Sequence, residues 1–132
     1  MSAASDYLEN ALLDHVLGGT SFGQPANLYV GLFTGTPNSN LEAGTLTDEV
    51  SGGNYTRKAV TFSAASSGTA SNSATVTFDT ATANWGTITS VAVIDASTGG
   101  NVLFYGSVTA SKTIESGDTF QIASGNLTIS LA

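Results

Sequence analysis

At 132 residues the chain suits one domain around one core, and without cysteine it has neither a disulfide scaffold nor a thiolate metal site. Ten carboxylates against three cations give a formal net charge of -7, which argues against a surface that neutralises nucleic-acid phosphates and has solubility as its plainest consequence. No apolar run approaches the roughly 20 residues that span a bilayer, and MSAASDYLEN carries acids where a signal peptide would be basic, so synthesis in the cytoplasm and no membrane partner are expected.

The predicted elements begin with one helix, Ser5 to Leu17. Leu8, Ala11, Leu12 and Val16 recur at spacings of three and four, and Leu13 and Leu17 widen the stripe. Ser5 can cap it, Asp6 and Glu9 suit the positive end of its dipole, and Gly18-Gly19 stops it. A helix of about 20 Å is marginal alone in water, so the stripe must dock on its own sheet or on a neighbouring subunit. His15, the single imidazole, has no nucleophile or second ligand beside it and is expected to be solvated or interfacial.

Asn27 to Thr34 reads as a buried strand in which Gly31 suggests a bulge or a close crossing with another backbone. Gly35 to Gly53 is the longest irregular stretch; its Glu42, Asp48 and Glu49 lack the regular spacing of a calcium loop, and no metal is assigned to them. Asn54 to Ser63 alternates as a strand and sets the adjacent cations Arg57 and Lys58 on opposite faces. One of them can point inward only with a carboxylate partner; a surface salt bridge is the simpler expectation. Ala64 to Ser73 reads as a loop between sheets and Ala74 to Phe78 as a short strand.

The centre of the sequence is a hairpin. Thr87 to Ile94 and Asn101 to Val108 are apolar and rich in β-branched residues, and Asp95 to Gly100 between them supplies paired glycines for the reversal. Trp85, just upstream, is placed to close one end of the core. Ser111 to Ile114, Thr119 to Ala123 and Asn126 to Leu131 complete a set of seven or eight short strands. The fold class is therefore mainly β: an antiparallel, jelly-roll-like β-sandwich with one N-terminal helix, as a single domain over 1–132.

No catalytic constellation emerges. The glycine-rich Gly18 to Gly23 follows a helix and lacks the lysine of a phosphate loop, and the acid pairs Asp48 with Glu49 and Glu115 with Asp118 sit in turn-like segments. The chain is expected to be non-enzymatic and to need no cofactor.

Five stretches in order, MSAASDYLENALLDHVLGG, LYVGLFTGTP, EVSGGNYTRKAVTF, WGTITSVAVIDASTGGNVLFYG and SGDTFQIASGNLTISL, together resemble a group of small structural proteins of tailed bacteriophages. Members are labelled phage tail fibre protein, and similar small β-sandwich proteins serve as capsid cement or decoration proteins. The resemblance spans nearly the whole chain; EVSGGNYTRKAVTF and the WGT-to-FYG stretch are its most specific parts, and Pro37 to Asp48 matches least well. It implies a virion component. The first expectation is a decoration protein that stabilises the head by binding the major capsid protein, as a homo-oligomer with a trimer favoured. The alternative is a tail fibre or adhesin module that binds host-surface glycans, and a third reading is a ring-forming tail component. Contacts to neighbours are expected from Leu8, Leu12 and Val16 of the helix and from the long loop with Arg57 and Lys58.

Overall fold

A computed structural model describes residues 3–35 and 38–131; Met1, Ser2, Thr36, Pro37 and Ala132, and with them part of the predicted irregular loop, lie outside these. In chain order the elements are β1 (Ala3–Ala4), α1 (Asp6–Leu17), β2 (Tyr29–Thr34), α2 (Asn38–Glu42), β3 (Lys58–Ala59), β4 (Thr69–Ser71), β5 (Val76–Thr77), β6 (Gly86–Ile94), β7 (Val102–Ile114), β8 (Gln121–Ile122) and β9 (Thr128–Ser130). The fold is mainly β, with a five-stranded antiparallel sheet in the order β1-β7-β6-β2-β3 and no closed barrel. Two further antiparallel ladders join β4 to β9 and β5 to β8. The pairs nest around the turn between β6 and β7: that hairpin is innermost, β5 with β8 comes next, and β4 with β9 is outermost. This is a jelly-roll-like chain path, centred on the hairpin that the sequence singles out.

The turn itself is held by Asp95, whose Oδ1 accepts from the Asn101 backbone amide at 2.7 Å while Oδ2 accepts from Asn101 Nδ2 at 3.1 Å. Gly100 has φ of 79°, and a Cβ there would lie 2.7 Å from both Ala96 Cβ and Asp95 Oδ1, so only glycine closes this reversal.

Side chains alternate across the large sheet and build a core on each face. Val30, Leu32, Ile88 and Val93 pack toward the ladders, where Val76, Phe78, Phe120 and Leu127 meet them; Trp85 lies in this core, edge-on to Tyr55 at 5.4 Å. On the other face Phe33, Ala92, Ile94, Val102 and Tyr105 pack with Leu41 of α2. Each large apolar side chain enclosed this way contributes roughly 1.5–3 kcal/mol. Asn72 ties the ladders together: its Nδ2 donates to the carbonyls of Ala74 and Ala123, and its Oδ1 accepts from the Leu127 amide. Both donors and the oxygen of its amide are thus engaged, which suits a side chain only 1% exposed.

Several predicted boundaries move. Ser111 to Ile114 continues β7 rather than forming a strand of its own, pairing Lys112 with Ile88 and Ile114 with Gly86. Between Ser107 and Lys112 the chain of β7 runs out of register with β6, a local excursion. The predicted strand 54–63 contracts to β3, and its first residue, Asn54, instead belongs to a turn in which Gly52, Gly53 and Asn54 all take positive φ. Residues 64–73, read as a loop, contain β4, and the irregular stretch 35–53 contains α2. At Gly31 the close approach comes from a side chain and not from a crossing backbone: a Cβ there would lie 3.0 Å from Glu49 Oε2 and 3.2 Å from Ile94 Cδ1.

Candidate docking surface

Helix α1 is fastened at one end. Ser5, fully buried, caps it by accepting from the Leu8 amide at 3.2 Å, donates its hydroxyl to the Val102 carbonyl, and donates its own amide to Leu103 O at 2.9 Å. These carbonyls are available because β7 carries an extra residue here: Ile94 pairs with Val102 and Val93 with Phe104, which leaves Leu103 without an opposite number on β6. β1 then pairs Ala3 with Tyr105 and Ala4 with Phe104, so the start of the helix is built into the sheet edge. Leu8 is buried below the first turn, and Ala11 and Leu12 are half-buried.

Beyond Leu12 the helix leaves the body. Every residue from Leu13 to Ser21 is exposed. Leu13, Val16 and Leu17 are 56%, 71% and 77% exposed, and their spacing of three and four makes one outward apolar stripe. Of the residues expected to contact neighbours, Leu8 is therefore covered within the protein, Leu12 is partly covered, and Val16 faces solvent with Leu13 and Leu17. Sequence periodicity marks all of them as apolar but does not say where the sheet stops supporting the helix. Gly18 closes the helix by donating its amide to Asp14 O, and the following chain folds back so that His15 Nδ1 accepts from the Phe22 amide at 3.0 Å.

Acids surround the stripe. Asp6 and Glu9 precede it on successive turns and Asp14 lies one turn before Leu17, all exposed. Nearby, Tyr105 donates its hydroxyl to Glu42 Oε1 of α2 at 2.6 Å. Burial first, then the bond to Glu42 and the negative charges of Glu42, Glu9 and Asp6, push this hydroxyl up to about 12. The carboxylates of Asp6, Glu9 and Glu42 thus act together on Tyr105, beside the start of α1.

The two cations of the predicted strand part company. Lys58 reaches outward and pairs with Asp79 at 3.0 Å. Arg57 turns inward, its side chain 4% exposed: Nε and Nη2 each donate to Glu49 at 2.7 Å, and Nη1 donates to Ala96 O and Gly99 O at 2.8 Å. Tyr55 completes the group, donating to Glu49 Oε2 at 2.6 Å while its oxygen accepts from the Leu32 amide at 3.0 Å. Hydrogen bonding to Glu49 outweighs burial and raises the Arg57 pKa above its ordinary value, so the guanidinium stays charged. This cluster binds the 49–57 segment, β2 and the β6–β7 turn into one unit, and all the bonds named for Arg57 run within the chain. Its members fall in the EVSGGNYTRKAVTF stretch, yet neither Glu49 nor Tyr55 is marked by periodicity as a partner of Arg57.

The acids weighed for chemistry are spread among structural tasks. Glu49 serves Arg57 and Tyr55, Glu42 serves Tyr105, and Asp118 Oδ2 accepts from the Glu115 amide in its own turn. Among the described residues no three His, Cys, Asp or Glu side chains stand close enough to hold a metal ion. On the ladder side the sheet leaves a cleft of about 360 Å³ lined in part by Phe104, Val108, Phe120, Ile122, Leu127 and Ile129, and an apolar one of about 240 Å³ that shares Val93, Phe104 and Ile129 with it. Tyr105 is the single titratable residue in either lining, so these clefts offer shape and apolar contact.

The β framework fixes one end of α1 and leaves an apolar stripe exposed at the other. The chain belongs to the family described as Gp80, podophage GP4 fiber I protein gp80, whose model matches residues 3–130. It is thus a bacteriophage structural protein of the fibre type. No curated protein matches the chain.

Proposed function

We propose that the protein is a non-enzymatic fibre component of the phage particle, seated on its neighbours through α1 while the β body faces outward. The observation that carries this reading is the exposed stripe Leu13, Val16 and Leu17 on a helix whose other end is fixed into the sheet by Ser5 and β1. Contiguous exposed apolar residues on an otherwise polar surface mark contact sites. The word fibre in the family's description moves a tail-fibre location ahead of head decoration. A trimer made through this face would crowd Asp6, Glu9 and Glu42 of three copies together, so a three-fold assembly would use the other side of the molecule. Glycan contact would fall to the exposed Thr- and Ser-rich segments of the β body.

Decoration of the head, with the major capsid protein as partner, is the second reading. A docking element this small favours it in one respect, since weak contacts gain most when repeated over many equivalent sites. Electron cryomicroscopy of the particle separates the two: density for β6, β7 and Trp85 on the tail supports the fibre reading, and density at regular positions on the shell supports decoration.

A further inference from the structure

We propose that the outward face of α1 docks as a helix in a groove, and that the groove belongs to a different protein of the particle, apolar along its floor and rimmed by Lys and Arg. The inference names the partner chemistry of the surface described above and rests on the reading of the chain as a virion component.

Three observations select this occupant over a second copy of the chain. The first is area. Complete burial of Leu13, Val16 and Leu17 would cover on the order of 400 Å², about half of one partner's share in a standard interface. A flat, symmetric helix pair confined to this stripe is therefore too small, whereas a groove also encloses the flanks of the helix.

The flanks supply the second observation, charge. Asp6, Glu9 and Asp14 are exposed on α1, and Glu42 of α2 acts with Asp6 and Glu9 on Tyr105 near the start of the helix. A two-fold contact sets a patch against itself, so a second copy would bring these acids against their counterparts. A cationic rim would instead complement them and guide the approach.

The third is the chain's own supply of cations. There are three. Arg57 is enclosed with Glu49, Lys58 is paired with Asp79, and Lys112 stands at the opposite end of β7 from the residues that anchor α1. A copy of this chain has no cationic, apolar-floored groove to offer from these.

The test is site-specific photo-crosslinking in the assembled particle, with benzoylphenylalanine in place of Val16. The expected result is an adduct to one different structural protein, mapped to a segment in which apolar residues are flanked by Lys or Arg. Alongside it, the variant Leu13→Ser/Val16→Ser/Leu17→Ser should keep its melting transition and fall at least tenfold in copies per particle. Asp6→Asn/Glu9→Gln/Asp14→Asn should be released from particles at lower salt than the parent. An adduct between two copies, an adduct to an acidic segment, or an unchanged copy number for the serine variant would overturn the proposal. Absence of the parent chain from purified particles is a different result, and it would remove the virion reading itself.

Discussion

The Arg57 cluster and the outer half of α1 sit on one small protein and are built on opposite terms. Around Arg57 each donor named meets an acceptor inside the chain, and a methyl group at Gly31 would press to within 3.0 Å of Glu49 Oε2. At the end of α1 the apolar side chains Leu13, Val16 and Leu17 are left more than half exposed. The first arrangement fixes loops that have little secondary structure. The second leaves binding free energy unspent until a neighbour arrives. The contrast teaches where a substitution should act on folding and where it should act on assembly.

The largest effect on folding is expected from Arg57→Met. It leaves the Glu49 carboxylate without its cation and with the Tyr55 hydroxyl as its remaining named donor, and removing one partner of a buried pair costs about 3–5 kcal/mol. Urea unfolding should show the midpoint fall accordingly. Gly31→Ala presses on the same pair and on Ile94, and overpacking of this kind costs about 1–3 kcal/mol; it should lower the melting temperature without changing the far-ultraviolet dichroism. Ser5→Ala removes the cap of α1 and its link to β7, at about 1–2 kcal/mol, with loss of helical dichroism ahead of the global transition. Val16→Ser should stay within about 0.5 kcal/mol of the parent in the isolated chain, because it alters an exposed position, and should act only on assembly.

A pH profile sharpens the same comparison. The Tyr105 hydroxyl, ordinarily near 10, is raised to about 12 in the folded chain. The folded state therefore holds the proton where the unfolded state releases it. The associated stability is fully present below pH 10 and is lost as the pH rises from 10 to 12. Burial, then the bond to Glu49, shifts Tyr55 in the same direction and farther. Tyr105→Phe should flatten part of the alkaline decline in melting temperature and leave the part that Tyr55 causes.

Much of this framework is legible in the sequence, for physical reasons that differ by element. The β6–β7 hairpin shows itself because alternation of β-branched residues and a Gly-Gly reversal are both local signals. The helix shows itself through its cap and its apolar spacing. Its division into a docked and an exposed half does not, because the point where α1 leaves the sheet depends on how β1 and the extra residue at Leu103 set its angle. Arg57 is open to either reading from its strand position alone. The inward one requires Glu49, eight residues earlier, and the carbonyls of a turn about forty residues later, and no periodicity encodes those distances. β4 is missed because a Ser/Ala/Gly tract has little strand propensity and is held by β9 from the far end of the chain.

Hydrogen exchange measured on the isolated chain and on the same chain within particles separates docking through α1 from docking through the β body. Fast exchange is expected at Leu13 to Leu17 in the isolated chain and strong protection of those amides in the particle. No change is expected at Val30, Leu32 or Ile94, which are protected in both. Protection that appears only on the β body, with α1 exchanging equally fast in both samples, would contradict docking through α1.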